Sequence, residues 1–542
     1  MHKLAVIADP HYHEIFPGYR FEGVDFKGQS GACIRTRDDS AASTRVYNES
    51  YFSFPAALDA CVAEGIETVV IAGDLTDDGQ IATMDAALAL LARYEAEHGI
   101  RFFLTPGNHD TYGMSGRHHS KAFYDGRGGT TLVTSEPEGI ANTERVIVDR
   151  AMFCRSYRDT APLWAPYGIQ RRSSDLHWES PFGTDDAFAS RMFEITSPDG
   201  SVVHRQLDLS YLVEPQKGLW LVSIDANVFE PRNGCADNTD PSSFADSTDA
   251  GWNSLVRLKP FILDWLVDVS TRAKAQGKTL ICFSHYPVLD TYDGTFAQES
   301  MLFGATQAVR RTPDHATGRA VAATGIGVHF SGHLHVCDTC TTCIDGHTLT
   351  NHAIPSPVAF PPAFAVVSAD GESRNVQYRQ IEFDDFDAFF PFYHRDAAQS
   401  DWMQAQSYGD FLYRHVRQLV VQRHLPKEWP ADLAQFIQAV GVNELIRIAD
   451  IQRPLQAATY IPSRREQDEI TGIDLITDWY AARNAGTLVT QFVSPQRLAI
   501  YRRLIECYAG RSWSTSDCLQ SRLKMLLAMM DQYLADAMAI SE

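Results

Sequence analysis

Short apolar runs, each halted by polar or charged residues, recur through the first part of the chain. Leu4–Ala8 stops at Asp9-Pro10-His11, Thr68–Ala72 stops at Gly73-Asp74, and Phe102–Leu104 leads into Gly107-Asn108-His109-Asp110. Brief β-branched and aromatic runs of this kind predict strands. Between them, Ser50–Glu64 reads as a helix with Leu58, Cys61 and Val62 on one side, and the Ala- and Leu-rich Ala82–His98 as another. Strand alternating with helix over the first 110 residues predicts an α/β unit. In such sheets functional groups gather at the carboxyl ends of strands. The stretch from His13 to about Asn48 has little periodicity and reads as a long loop near that end.

From Thr111 to about Gln216 the pattern breaks down. That span is rich in Gly, Ser, Asp, Arg and aromatic residues, and only Arg191–Thr196 and Val202–Leu209, about the Asp199-Gly200 turn, have hairpin character. It reads as an inserted cap over one side of the site, with the core resuming at Leu219–Ile224 and Asp225. One helix is predicted at about Ser254–Ala275. Strand Thr279–Phe283 then delivers Ser284-His285, and Val328–Phe330 delivers Ser331-Gly332-His333-Leu334-His335. Extended segments, including the Pro-rich Ile354–Pro362, run to Phe383.

From Asp384 the character turns helical. Phe411, Leu412, Val416, Leu419 and Val420 share one face, and Leu519, Leu523, Leu526, Leu527, Met530, Leu534 and Met538 form a second stripe. The division expected is a catalytic domain over 1–383, with 111–216 inserted, and a helical C-terminal domain over 384–542 without chemistry of its own. A possible homo-oligomer through the helical stripes is the second use for them.

Composition narrows the partners. Of 542 residues, 68 are acidic and 47 basic, a formal charge of −21. Such a field opposes sequence-independent binding to nucleic acid and to anionic membranes. It does not oppose a small phosphorylated substrate, whose charge bound cations would offset locally. No run of 18 apolar residues is present, so no membrane span is expected. The amino terminus is too soon interrupted by Asp9 to read as a secretory signal, and ten scattered cysteines suit reduced thiols. A cytoplasmic location is the expectation.

Asp9, His11, Asp74, Asn108, His109, Asp110, His285, His333 and His335 each follow a strand candidate. Mixed imidazole, carboxylate and amide donors suit divalent first-row metals of intermediate hardness. Two ions held close together need a bridging carboxylate, and Asp74 stands at the middle strand. Such a pair would acidify a bridging water and hold a phosphoryl oxygen as Lewis acid.

Asp9-x-His11, Gly73-Asp74, Gly107-Asn108-His109-Asp110, His285 and Gly332-His333-x-His335, in that order, resemble the motifs of the calcineurin-like metallophosphoesterase superfamily over about residues 1–370. The resemblance implies a four-layer α/β/β/α sandwich of two mixed sheets. It implies that Asp9, His11 and His335 bind one metal ion and that Asn108, His285 and His333 bind a second, with Asp74 bridging. It gives His109 the task of contacting the phosphate and protonating the leaving oxygen, with Asp110 orienting it. Mn, Fe or Zn would fill the site, and hydroxide activated at the dinuclear centre would attack in line. A small phosphodiester is the expected substrate; a phosphomonoester (nucleotide, sugar or protein phosphate) is the alternative, and a non-catalytic scaffold a third reading. Cys337-x-x-Cys340-x-x-Cys343 reads as an extended segment whose alternating side chains make a poor metal site. His13, His118 and His119 have two readings, contact with the substrate and residence at the surface, of which the second is favoured.

Overall fold

The computed structural model describes residues 1–137, 145–394, 401–463 and 470–539. Two mixed sheets form the centre. The first holds β1 (His2–Ile7), β2 (Thr68–Ile71) and β3 (Arg101–Leu104). Their successors in the second sheet are β4 (His177–Glu179), β5 (Tyr211–Gln216), β6 (Leu219–Ser223), β7 (Thr279–Phe283), β8 (Val328–Ser331), β9 (Asp338–Ile344) and β10 (His347–Ala353). The chain then returns to the first sheet with β11 (Ala363–Asp370) and β12 (Ser373–Gln380). Strand order is β12-β11-β1-β2-β3 in the first sheet and β9-β10-β8-β7-β6-β5-β4 in the second. β1, β2 and β3 run parallel, as do β6, β7, β8 and β10, so their carboxyl ends share an edge.

Alternation along β6 shows the layering. Leu219 and Leu221 join Leu4, Val6, Val70 and Phe102 in one core, whereas Trp220 and Val222 pack with Trp252, Leu266 and Val269. The helices Ser50–Ala63 and Ile81–His98 cover the first sheet through Phe54, Leu58, Met84 and Leu91. Side chains cross the gap between sheets: Ser223 Oγ and Tyr211 OH both donate to Leu104 O. The architecture is the four-layer α/β/β/α sandwich. Burial of this apolar surface is what holds the layers together.

Three local expectations need correction. Tyr211–Gln216 and His177–Glu179 belong to the second sheet, so the core begins before Leu219 and the 111–216 segment is only partly outside it. Tyr211 to Glu214 is buried on both faces and therefore shows no alternation. The helix expected over Ser254–Ala275 is two helices, Gly251–Leu258 and Pro260–Ala275. Pro260 lacks the N–H a continuous helix needs, and Lys259 is non-helical at φ −127°, ψ 51°. The span from His13 to Asn48 is not bare loop: it carries a hairpin (Val24–Phe26 with Gln29–Ala32) and the helix Arg37–Ala41.

The hairpin expected about Asp199-Gly200 forms, pairing Met192–Thr196 with Val203–Leu207. Cys340 and Cys343 lie on opposite faces of β9, and among the described residues no cysteine joins a cluster able to hold a metal. The C-terminal helices pack on the rest of the chain. Phe411, Leu412, Val416, Leu419 and Val420, and Leu519 to Leu534 of the second stripe, are buried in a core that also contains Ile15, Phe26 and Val46. The Met538 side chain lies outside the described residues. The faces that suggested a homo-oligomer are thus spent inside the chain. No helix among the described residues is long and apolar enough to cross a membrane.

Candidate metal centre

Every strand-end motif reaches one place. Asp9 and His11 follow β1, Asp74 follows β2, Asn108 follows β3, His285 follows β7, and His333 and His335 follow β8. Five of these seven have left-handed backbones: Asp9 (φ 52°), His11 (43°), Asp74 (51°), His333 (71°) and His335 (54°). Such conformations are costly for residues with a Cβ and persist only where the surroundings impose them. Here they turn each side chain back over the strand ends. Two glycines let the loops close in: a Cβ on Gly107 would stand 2.1 Å from Asp74 Oδ1, and one on Gly332 2.2 Å from Asp9 Oδ2.

The donor atoms fall into two clusters. In the first, His11 Nε2 faces His335 Nε2 at 3.1 Å, and Asp9 Oδ1 lies 3.8 and 3.4 Å from them. In the second, His285 Nε2 is 3.0 Å from Asn108 Oδ1 and 3.1 Å from His333 Nδ1. Asp74 Oδ2 stands between, 3.7 Å from His11 Nε2 and 3.2 Å from His285 Nε2. All seven residues are nearly or fully buried. His333 N donates to both Asp9 oxygens and His109 N to Asp74 Oδ1 at 2.8 Å, which fixes the carboxylates.

This arrangement fits cations. Paired imidazole nitrogens at 3.1 Å share at most one proton, and His11 Nδ1 and His333 Nε2 are buried without partners among the described residues. Burial, with Arg45 and His109 nearby, drives the His11 imidazole to its neutral, electron-pair-donating form; burial and His285 do the same to His333. Burial also opposes charge on His285, but Asp74 and Asp9 outweigh it and raise it to about 9. Against its own burial, Asp74 is held down at about 2 by His285 and His109. The carboxylates call for positive charge at this spot.

His109 sits at the rim, its ring centroid 5.1 Å from that of His11. Its orienting carboxylate is Asp78, whose Oδ1 is 2.9 Å from His109 Nδ1. Asp110 does not take that part, contrary to the sequence-based expectation. Its oxygens accept from Gly107 N, Thr76 N and Thr76 Oγ1, clasping the loops after β2 and β3. Burial and the charge of Asp74 push Asp110 up to about 7. Asp78 instead is kept well below the carboxylate range, its burial outweighed by Lys121 and His109. Behind it, Lys121 Nζ is 3.0 Å from Asp78 Oδ2 and also pairs with Asp77, which further accepts from Arg35 at 3.2 Å and Arg45 at 3.0 Å. Arg45 Nη2 lies 3.3 Å from His109 Nδ1.

Residues 2–158 match the model of the calcineurin-like phosphoesterase family. The match takes in Asp9, His11, Asp74, Asn108, His109 and Asp110. No curated protein matches the chain. Among solved structures, a dimetal phosphatase from Danio rerio is similar at 14% identity, over 70% of this chain and 99% of that one, with a TM-score of 0.33. A phosphopantetheinyl hydrolase from Mycobacterium tuberculosis is similar at 11% identity, over 66% and 90%, with a TM-score of 0.24. A sulfate thiohydrolase, SoxB, from Thermus thermophilus in complex with glycerol is similar at 12%, over 88% and 73%, with a TM-score of 0.28. Similarity this loose carries nothing about substrate.

Two clefts flank the candidate metal centre. One, of about 260 Å³, opens at Asn108 and His109 and runs between 112–117 and 229–248. The other opens at His333 and His335 and is walled by Arg311, Arg423, His424 and Arg483. Sequence reading expected no chemistry after Asp384, yet Arg423, His424 and Arg483 come from there. Nor did it single out Arg35, Arg45, Lys121 or Asp78. Only Asp78 carried a usable signal, as one of two acids that follow the Gly73-Asp74 motif after Leu75-Thr76. His119, expected at the surface, is 3.3 Å from Asp78 Oδ2, and His13 is buried; His118 is exposed, as expected.

Proposed function

We propose that the chain hydrolyses a phosphate ester, a small phosphodiester in preference to a monoester, at a centre of two metal ions. Asp9, His11 and His335 would hold one ion, Asn108, His285 and His333 the other, and Asp74 would touch both. The observation that carries this is the position of Asp74 Oδ2 between the two donor clusters. Mn, Fe and Zn all suit the mixed nitrogen and oxygen donors. When bound, such ions supply Lewis-acid stabilisation of phosphoryl oxygens and an acidified water.

The protein's own residues do the rest. Asp78 engages Nδ1 of His109 and leaves Nε2 to face the ester, where it can pass a proton to the departing oxygen. Arg35, Arg45 and Lys121 are balanced by Asp39, Asp77 and Asp78, and Arg45 Nη2, 3.3 Å from His109 Nδ1, is the cation placed to face an anion beside His109. Burial of the ligands excludes bulk water and strengthens each of these interactions. A cleft on each side of the centre gives room for two ester substituents, which supports a diester.

Chromogenic mono- and diesters offered to metal-stripped protein, with Mn²⁺ added back, test the reading. Metal-restored diester cleavage is expected. Monoester cleavage alone would replace the diester preference, and two bound ions without turnover on either ester would argue for a scaffold.

A further inference from the structure

The cleft that opens at His109 has features that neither metal binding nor proton transfer uses. Tyr112, Phe229 and Phe244 give it aromatic walls, the last two edge to face with centroids 6.3 Å apart. The Arg117 guanidinium carbon lies 3.5 Å from the centroid of the Tyr112 ring, and among the described residues its buried Nε has no acceptor. On the facing wall, Arg232 Nε donates to Phe244 O at 2.9 Å. Among the described residues, neither guanidinium has a carboxylate oxygen within 4.0 Å. The acid that also lines the cleft, Asp246, is turned to the Thr248 backbone N–H at 3.0 Å. Asp78 and Asp246 act on Arg117 only from beyond ion-pair distance, and in a chain of net charge −21 two cleft arginines without a close carboxylate among the described residues point to an anion from outside.

We propose that this cleft receives the leaving group of the ester, and that the group it selects is a planar ring carrying an anionic substituent. The inference rests on the phosphoesterase reading and names the substrate class for the same site. His109 and Asn108 form the inner end of the cleft, so an oxygen protonated by His109 departs directly into it. A ring entering there meets aromatic faces, which favour offset or edge-on contact. Its anionic substituent reaches Arg117, whose Nε is buried without an acceptor among the described residues and whose guanidinium presents several N–H donors. A volume of about 260 Å³ lies just under the range of small-molecule pockets, about 300–1,000 Å³. It suits one substituted ring system and is too small for a polymer chain.

Two measurements on the full-length, Mn²⁺-loaded protein test this. The first compares kcat/KM for 4-nitrophenyl esters with and without a ring carboxylate, in the wild type and in Arg117→Gln and Phe244→Ala. The wild type is expected to favour the carboxylated ester about 10- to 100-fold, the worth of one charge-assisted hydrogen bond. Arg117→Gln should bring that ratio close to one, while Phe244→Ala should weaken both aryl esters and keep the ratio. The second measures binding of the free carboxylated nitrophenol by calorimetry, which needs no turnover. Binding by the wild type that is lost in Arg117→Gln supports the assignment even if no ester is cleaved, in which case the phosphoesterase reading alone falls. Equal ratios in wild type and Arg117→Gln, or no binding of the phenol, would overturn the assignment.

Discussion

Gly107→Ala should disable the centre without removing any ligand. The added Cβ would stand 2.1 Å from Asp74 Oδ1, 2.4 Å from Asp74 N and 2.8 Å from Asp74 Cγ. Ordinary contact begins at 3.4 Å, so relief needs a displacement of more than a full ångström, and the backbone nitrogen cannot swing aside as a side chain can. The loop after β3 is pinned by Asp110 through Gly107 N and by Asn227, which donates to Gly107 O at 3.2 Å. Strain therefore falls on Asp74, whose Oδ2 is 3.2 Å from one donor cluster and 3.7 Å from the other. A misplacement of about 1 Å costs on the order of 10²-fold in turnover. Overpacking of this kind costs about 1–3 kcal/mol of stability. Gly327→Ala is the control, because nothing lies within 4 Å of its added Cβ. The assay is metal content per chain by plasma mass spectrometry after dialysis against Mn²⁺, with ester hydrolysis and thermal melting in parallel. Full metal content and turnover within about twofold of Gly327→Ala would refute the argument that Gly107 is required by the approach of Asp74.

Other perturbations separate the roles of neighbouring residues. Asp78→Asn should lower kcat by about 10²–10⁴-fold with both ions retained, whereas Asp110→Ala should chiefly lower the melting temperature by unclasping two loops; kinetics and melting curves distinguish them. His109→Ala should lose most turnover and keep its metal, and Asp74→Ala should lose both; loss of metal in His109→Ala would break that division. Acid should also destabilise the fold away from the centre. Burial holds His329 and His415 at about 4, against 6.5 in an unfolded chain. Both are neutral in either state above 6.5. As pH falls from 6.5 toward 4 the unfolded state takes up protons first, so stability is lost across that window, by about 2 kcal/mol per histidine at pH 5. Denaturant unfolding at pH 7 and 5 measures this, and His415→Gln should remove one share of the loss.

The site was legible in the sequence to the extent that its residues follow strands. Each ligand motif sits directly after a short apolar run, and strand ends in an α/β unit converge by topology alone. The orienting acid was misread because Asp110 is the covalent neighbour of His109. Its side chain turns to the loop after β2, and it is Asp78, on that loop beyond the left-handed turn at Asp74, that lies 2.9 Å from His109 Nδ1. Arg45, His119 and Lys121 come from segments without periodicity, where a sequence pattern says nothing about proximity. Arg423 and Arg483 reach the second cleft through the docking of the C-terminal helices, a contact between regions far apart in sequence. Tyr211–Gln216 escaped notice for a different reason: a strand buried on both faces has no alternation to read.

The central claim is that two bound ions are required for ester cleavage. The measurement that meets it most directly titrates Mn²⁺ into stripped protein while following bound metal and hydrolysis of a chromogenic phosphodiester together. The account predicts that activity rises with occupancy and levels off at two ions per chain. Saturation at two ions without cleavage of either a diester or a monoester, or cleavage that persists after the metal is removed, would contradict it.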